Sequence, residues 1–593
     1  MKKEPGDFKR RLFWLQLLVS ASFFLVLSSY YRTQVLLHEH YSELGEQNRT
    51  RKRTLPAARG LIFDREGRLL IRNLPSYHLV LQRDEMVEPF DTFAERLAPF
   101  LGLPREQLLE TFNAAKMGLL SQPIALLDNI SFAEVLRVKR NGLRFPGLSV
   151  EIGNRRDCVY PELFSHALGY VGQASEEELR ADSRLRYGDV VGKRGLENSY
   201  NHLLQGSPGE KWIHINRQGL IFQEEIVDPA IPGENLVLSL DLDLQIAAQQ
   251  ALGVFGGVVL LMDVRSGELL AFVSSPSFDL NIFGAGMTRD QWQDLISQPG
   301  QPLFNRALQG LYAPGSIFKL VTILAALHRN QITPATRFHC DGSYQHLGRT
   351  FHCHLRTGHG ELDLIEAIQK SCNLYMYQVA KDLGAQAIAD TAEDLGLGKP
   401  SGIDIRGEKS GSIPSPRHKK GWYSGETLNM SIGQGAIQVT PMQLVRLMSI
   451  IASEGLCPEP HLLLRVEGNQ ARTFQPISSR CTAIAQEHFK TIKTAMWQVV
   501  NVPGATGAAA CLPGFDVCGK TGTAQLLTFR NEADRKQERF TNAWFAGFAP
   551  LNRPRVAILV LAEQVGAGGA RAAPVARQVL AAYQAKYGTE ETL

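Results

Sequence analysis

The amino-acid sequence predicts an α+β protein, in which an antiparallel sheet flanked by helices is carried on a mixed α/β region behind one transmembrane helix. Three observations predict it. Residues 12–31 (LFWLQLLVSASFFLVLSSYY) run for 20 positions without a charge. Around Pro229 and Pro232 the stretch Asp-Pro-Ala-Ile-Pro-Gly interrupts the pattern of the chain. Beyond that break, strand-like pairs at 258–273 and 543–561 enclose sequence that is mostly helical.

A chain of 593 residues exceeds what one hydrophobic core organises, so more than one domain is expected. The division predicted is a cytoplasmic tail at 1–11, an anchor at 12–31, a first domain at 32–230 and a second at 231–593. A net charge of +4 is too small at this size for a nucleic-acid footprint, and no aromatic-studded basic stripe stands out in the body of the chain, so nucleic acid is excluded.

At about 1.5 Å per residue the uncharged segment makes a helix about 30 Å long, which matches the hydrocarbon core of a bilayer. Lys2, Lys3, Lys9, Arg10 and Arg11 precede it, and Trp14, Tyr30 and Tyr31 stand where interfacial aromatics belong. A cleaved signal peptide shares the basic start, but its apolar core is shorter and a small-residue cleavage site follows it, whereas this segment ends Tyr-Tyr-Arg. Arg49, Arg51, Lys52 and Arg53 blur the positive-inside count, although long domains translocate largely regardless of charge.

Residues 35–56 are polar and basic and read as a stalk. Leu61-Ile62-Phe63, the turn Asp64-Arg65-Glu66-Gly67 and Leu69-Leu70-Ile71 read as a hairpin. Helices follow: Asp91 is a candidate cap for one, Pro104 fits the first turn of a second, and Ser131 with Glu134 makes a capping box for a third. Past Phe145-Pro146-Gly147 short strands and glycine-rich turns return. In the second domain, Val258–Met262, the turn at Arg265-Ser266-Gly267 and Leu269–Val273 form one hairpin. Ala543–Ala549 and Val556–Leu561 form another, and residues 574–586 read as a helix.

The chemistry gathers in three short motifs. Ser316-Ile-Phe-Lys319 opens the apolar run Leu320–Leu327, and three residues apart on a helix means one face, so hydroxyl and amine are neighbours. Alone the pattern is cheap, since a helix cap and a surface lysine produce it as well. Ser371-Cys372-Asn373 and Lys520-Thr521-Gly522-Thr523 complete a triple associated with serine acyl-enzymes. A serine hydroxyl loses its proton on attack, and a lysine accepts it only when neutral, against an ordinary pKa of ~10.4. A base useful near neutral pH needs that value lowered by roughly three, about 4 kcal/mol. Burial supplies part and a second cation, Lys520, supplies more. Ser371 can relay a proton to a departing amine, and Asn373 can hold a substrate amide. Lys520 with the hydroxyls of Thr521 and Thr523 can bind a carboxylate. Gly522 leaves the strand bare for close approach, and the backbone N–H groups of Ser316 and Thr523 can form an oxyanion hole.

Beyond the triple, the first domain carries Arg59-Gly-Leu-Ile-Phe-Asp64-Arg65-Glu-Gly67, Tyr160-Pro161, His166-Ala-Leu-Gly169-Tyr170-Val-Gly172 and Gly195-Leu196-Glu197. The second carries Asn429-Met-Ser-Ile-Gly433-Gln434-Gly435, Thr440-Pro441, Trp544-Phe-Ala-Gly-Phe-Ala549-Pro550 and Ala573-Pro574. Over about 50–580 the chain resembles the monofunctional, class B penicillin-binding proteins of the elongation type, the penicillin-binding protein 2 group. The resemblance implies a penicillin-binding/β-lactamase-like transpeptidase domain on an elongated, non-catalytic pedestal of the dimerisation type, outside the cytoplasmic membrane. It implies D-Ala-D-Ala stem peptides as substrate, covalent binding of β-lactams, and no cofactor for catalysis. It also implies a membrane glycosyltransferase as partner, since nothing in 32–230 resembles a polymerase.

Eight cysteines are present, and Cys340, Cys353 and Cys372 cluster with His359, separated by 12, 5 and 12 residues. Outside a membrane clustered cysteines default to a disulfide, with a leftover one buried as a hydrophobe. Three thiolates and an imidazole would instead close a tetrahedral structural zinc site, although this spacing is no finger pattern. The resemblance implies zinc beside the active site, stapling the loop that ends at Ser371 and Asn373. Cys158, Cys457, Cys481, Cys511 and Cys518 have no metal-like company, and Cys511 with Cys518 can pair or simply pack. The charge-rich stretch Arg530–Arg539 reads as a solvated loop, and Asp404–Glu408 has no evident chemical role. A hydrolase, either carboxypeptidase or β-lactam-destroying, shares the acylating residues and differs only in acceptor. A catalytically dispensable scaffold is a third reading.

Overall fold

The computed structural model describes residues 5–83, 86–114, 123–141, 144–185, 188–215, 221–284, 286–469, 471–475, 478–525 and 541–588. The charge-rich stretch Arg530–Arg539 lies outside the described residues. The chain forms two compact units, Met1–Ala58 with Gly206–Pro232, and Arg59–Gln205 with Gly233–Leu593.

In the first unit the helix Pro5–Tyr31 continues through one π-helical turn, Arg32–Leu36. Its stretch Phe8–Leu36 is long and apolar enough to cross a membrane. The expected stalk is replaced by regular structure. His38–Arg49 is a helix, and Thr50–Leu55 is a strand on the antiparallel ladder Gly209–Ile215, Ile221–Asp228. Cross-strand pairing explains the strand: Lys52 lies opposite Trp212, with its Nζ 5.5 Å from the ring, and 3.6 Å from Glu210.

In the second unit the predicted hairpin forms between Ile62–Phe63 and Leu69–Leu81. Asp64 accepts at its turn from the Glu66 and Arg68 amides. The strand Asn235–Leu238 joins Ile62–Phe63 in parallel and Leu463–Glu467 antiparallel, so the chain returns from the break at 229–232 into this sheet. Of the three helices, Phe132–Arg140 has the expected capping box from Ser131 and Glu134, and Arg105–Ala114 starts just after Pro104. Asp91 does not cap its helix. Pro89 holds that position, and Asp91 falls in the first turn, where its charge faces the positive end of the helix dipole.

The functional half is built on a five-stranded antiparallel sheet, ordered Leu269–Ser275, Gly257–Asp263, Val556–Ala562, Thr541–Ala549, Cys518–Gln525. Its interior strands are buried almost residue for residue, which is why they read as continuous apolar runs instead of alternating ones. The helices Leu242–Leu252, Pro441–Ala452 and Gly568–Tyr587 pack on this sheet. Cys518–Gln525 ends the strand order, so its outer edge is left for a non-sheet partner.

Candidate active site

The serine turn is held by backbone, not by side chains. Gly315–Phe318 is a single 3-10 turn and Lys319 begins the helix Lys319–His328. The sequence pattern implied one regular helix. In a 3-10 turn residues i and i+3 eclipse, so Ser316 and Lys319 still face the same way. Gly315, at φ +56°, donates its N–H to the Gly433 carbonyl at 3.0 Å. A Cβ on Gly433, itself at φ +69°, would fall 2.1 Å from the Gly315 oxygen. Thr322 Oγ1 donates to the Ser431 carbonyl at 3.0 Å and ties the next helical turn to the same segment.

The edge strand closes on this turn from the other side. A Cβ on Gly522 would meet the Pro314 oxygen and Trp544 Cβ at 3.1 Å, and one on Gly315 would meet the Thr523 oxygen at 3.0 Å. Gly568, at the start of the last helix, is as tightly placed: a Cβ there would lie 2.3 Å from the Gly522 and Trp544 oxygens. Small residues at four positions therefore let the serine turn, the edge strand and a helix end share one space.

Inside that space Lys319 and Lys520 are both fully buried. Lys319 Nζ donates to the Ser371 carbonyl at 2.7 Å, Ser371 Oγ at 3.1 Å and Asn373 Oδ1 at 2.7 Å, which uses all three ammonium protons. Lys520 Nζ donates to the same Ser371 Oγ at 2.9 Å and to the Thr521 carbonyl at 3.2 Å. Burial pushes Lys319 down to about 8, with the Cys372 and Cys353 sulfurs opposing. Lys520 is lowered well below its ordinary value by burial and by the Lys319 charge. Among the described residues, Ser316 Oγ has no hydrogen-bond partner, and Ser316 is half-buried in the turn that leads into Lys319. Thr523 is exposed, and its Oγ1 accepts from the Gly568 amide at 3.3 Å.

Ser371 adopts φ +53°, unusual for a residue with a side chain and typical of functional sites. Cys372 follows as the cap of the helix Asn373–Leu383, its sulfur accepting from the Tyr375 amide at 3.5 Å. Asn373 donates its amide N–H to Cys353 Sγ at 3.4 Å and its Nδ2–H to the His352 carbonyl at 3.2 Å.

The ligand atoms of Cys340, Cys353, His359 and Cys372 all lie within 4.8 Å of one another. His359 Nδ1 is 3.5 Å from both Cys340 Sγ and Cys353 Sγ, and Cys353 Sγ is 4.0 Å from Cys372 Sγ. Zinc with Zn–S near 2.3 Å and Zn–N near 2.0 Å in a tetrahedron separates sulfur from nitrogen by about 3.5 Å and sulfur from sulfur by about 3.8 Å. The residues present fit that ion, and the three cysteines are free thiols. One disulfide goes beyond the sequence reading, and Cys511 with Cys518 take the unpaired alternative it left open. Cys457 and Cys481 form a disulfide across the short antiparallel pair Leu456–Pro458 and Ser478–Arg480, with Cα atoms 5.7 Å apart, while Cys511 and Cys518 stay unpaired.

Asp404, for which no role was evident, accepts from the Leu462 and Leu463 amides and from the Tyr200 hydroxyl at 2.9 Å, so it pins a loop to two other segments. Gly433 and Gln434 were matched only as family residues. The signal that would have singled them out is the glycine pair 433 and 435 beside Ser431. Gln434 Nε2 donates to the Thr523 carbonyl at 3.4 Å.

A family model described as the penicillin-binding protein transpeptidase domain matches residues 257–581, and one described as the penicillin-binding protein dimerisation domain matches 54–238. The chain is 31% identical over 580 residues to peptidoglycan D,D-transpeptidase MrdA of Haemophilus influenzae, covering 94% of this chain and 89% of that protein. Among solved structures, penicillin-binding protein PBP2 of Helicobacter pylori in complex with MreC superimposes with a TM-score of 0.79 at 27% identity, over 91% of this chain and 100% of that one. A chain from a structure titled as a peptidoglycan synthase complex that coordinates polymerization and crosslinking gives 0.71 at 28% identity, over 98% and 99%.

Proposed function

The chain belongs to the penicillin-binding protein transpeptidases, and from that premise we propose how its residues perform the reaction. It is a peptidoglycan D,D-transpeptidase that cross-links stem peptides and binds β-lactams through a serine. The observation that carries the residue assignment is the convergence of two buried lysines on one hydroxyl beside the Ser316 turn.

In this reading Ser316 Oγ attacks the carbonyl of the penultimate D-Ala, and its proton passes to neutral Lys319. The tetrahedral oxyanion is met by the backbone N–H groups of Ser316 and Thr523, where a lost donor costs about 3 to 4 kcal/mol of transition-state stabilisation. As the C–N bond breaks, the proton returns through Ser371 to the departing amine, and terminal D-Ala leaves. An amine on a second stem peptide then attacks the ester, its proton travels back along the same route, and Ser316 is regenerated. Asn373, its Oδ1 held by Lys319, presents its amide to the substrate backbone along the free edge of Cys518–Gln525. Thr521 and Thr523 supply hydroxyls to the substrate carboxylate. Lys520, its amine turned inward onto Ser371 Oγ and the Thr521 carbonyl, acts on the Ser371 hydroxyl and not on the substrate carboxylate.

Cys340, Cys353, His359 and Cys372 would hold one zinc ion as a closed structural site. The ion would neutralise thiolate charge and lock the loop that carries Ser371 and Asn373; a four-ligand site leaves no position for catalysis. The apolar helix would anchor the protein in the cytoplasmic membrane with the catalytic domain outside, and a membrane glycosyltransferase would supply the strands. Similarity to a chain of a peptidoglycan synthase complex supports that partner.

The test gives the purified protein a pentapeptide donor with and without an amine acceptor. Amide product formed only with acceptor supports the reading. Release of D-Ala at the same rate either way, with no transfer product, points to a carboxypeptidase.

A further inference from the structure

Beside Asn373 begins a cationic and aromatic surface that the acylation chemistry does not use. It has two parts. One is the stretch Arg417-His-Lys-Lys-Gly-Trp-Tyr423, passed over in the sequence because its charges are few and its other half lies about 70 residues earlier. That other half is the hairpin Ser343–His346 and Arg349–His352, with Leu347 at its tip. His346 Nε2 and Ser424 Oγ, 2.8 Å apart, join the two parts.

The surface is open and charged. Tyr423 is 73% and Leu347 83% exposed. Arg417 pairs with Asp390 at 3.6 Å, and Lys419 pairs with Glu426. Among the described residues Arg349 and Lys420 have no anionic partner, and both are exposed. Lys419 Nζ also lies 5.9 Å from the Trp422 ring, whose Nε1 donates to Thr427 Oγ1 at 2.8 Å and so fixes the indole.

Both parts are linked to the reaction centre, the hairpin by contact and the cationic stretch along the chain. The hairpin ends at His352, whose carbonyl accepts from Asn373 Nδ2 at 3.2 Å. The cationic stretch runs into the helix Ser424–Ser431, which leads to Gly433, the residue pressed against the Gly315 carbonyl. A ligand lying on this surface therefore rests on the two segments that lead to Asn373 and to the serine turn.

We propose that the surface formed by Arg349, Lys420, Trp422 and Tyr423 is a docking site for an uncross-linked glycan strand, holding it through the free carboxylates of its stem peptides and the apolar faces of its sugars. This rests on the transpeptidase reading above. The chemistry matches on both counts. Exposed cations without partners are available to carboxylates away from the scissile bond, and such contacts weaken with salt. Aromatic rings with an apolar face and a polar edge suit a sugar, which has both. The site would keep a polymeric substrate near Ser316 between turnovers, so that neighbouring stems are presented at high local concentration.

The experiment compares the full chain with its Arg349→Ala/Lys420→Ala/Tyr423→Ala variant in three assays. Fluorescent penicillin labelling reports folding and acylation, and is expected unchanged; absent labelling of the parent would sink the transpeptidase reading instead. Co-sedimentation with soluble uncross-linked glycan strands is expected to fall about tenfold in the variant, and in the parent to weaken from 50 to 300 mM salt. Flotation with vesicles of phosphatidylglycerol and phosphatidylethanolamine tests a membrane as occupant. Equal strand binding by parent and variant overturns the proposal, as does a variant defect confined to the vesicles. Should the triple variant lose labelling, Lys420→Glu alone is used, and strand binding at the parent's level again overturns it.

Discussion

Lys319 and Lys520 donate to the same oxygen, Ser371 Oγ, at 3.1 and 2.9 Å. Two ammonium groups on one hydroxyl repel each other, and both are out of water. Sharing an acceptor lowers that cost but does not remove it, so the site favours having one of the two amines neutral. Neutrality is what a serine nucleophile needs from its neighbour.

Ser316→Ala is expected to abolish covalent labelling by fluorescent penicillin while leaving the thermal transition unchanged. The serine side chain is half-buried and makes no hydrogen bond among the described residues, so its truncation to Ala breaks none. Intact-protein mass spectrometry after penicillin treatment checks it: an adduct of one equivalent on the variant would remove Ser316 from its role.

Acylation by penicillin is expected to rise about tenfold per pH unit below pH 8 and to level off above it, following Lys319 at about 8. The stability consequence has the same sign. Lys319 in the folded chain loses its proton below the ordinary 10.5, so between about 8 and 10.5 the unfolded chain binds more protons and stability from this group rises with pH. Stopped-flow acylation from pH 6 to 9.5 is the measurement. Lys319→Met should lower the plateau by 10² to 10⁴ and flatten the profile.

Gly433→Ala should damage fold and activity together. The new Cβ would stand 2.1 Å from the Gly315 oxygen at a backbone angle of φ +69°. The serine turn must move, at a cost of about 1–3 kcal/mol. A lower melting temperature together with at least tenfold slower acylation is expected, whereas Gly435→Ala, whose Cβ would meet only Asn429 Cβ at 3.7 Å, keeps more of the acylation rate.

Purified protein is expected to carry one zinc per chain by elemental analysis. Cys353→Ser should lose the metal, lower the melting temperature and slow acylation, because Cys353 Sγ also accepts the Asn373 amide N–H. Metal-free protein with a Cys340–Cys353 disulfide on peptide mapping would reject the site.

Legibility followed the range of the interaction. The capping box of Ser131 and Glu134 and the hairpin at 62–71 were readable because their partners are within a turn or a short loop. Asp91 was misread as a cap because several residues near a helix start satisfy the same pattern, and Pro89 ended the extended segment first. The supposed stalk failed for a different reason. Thr50–Leu55 is a strand because Gly209–Ile215 lies beside it, more than 150 residues later in the chain. The same blindness hid the Cys457–Cys481 disulfide, the Gly433 contact and the three groups gathered on Asp404.

The sequence by itself determined the chemical inventory: a hydroxyl and an amine one turn apart, a second serine with its amide, a lysine on a glycine-bearing strand, and a helix long enough to cross a bilayer. Those are properties of contiguous residues, set by local geometry and side-chain chemistry. Only the tertiary structure decided that both amines meet at Ser371 Oγ and that Lys520 turns inward. The same holds for Cys340, Cys353, His359 and Cys372, whose sulfur and nitrogen atoms lie within 4.8 Å of one another. Such distances depend on how the sheet, the serine turn and the Ser371 loop pack, and packing is a property of the whole core.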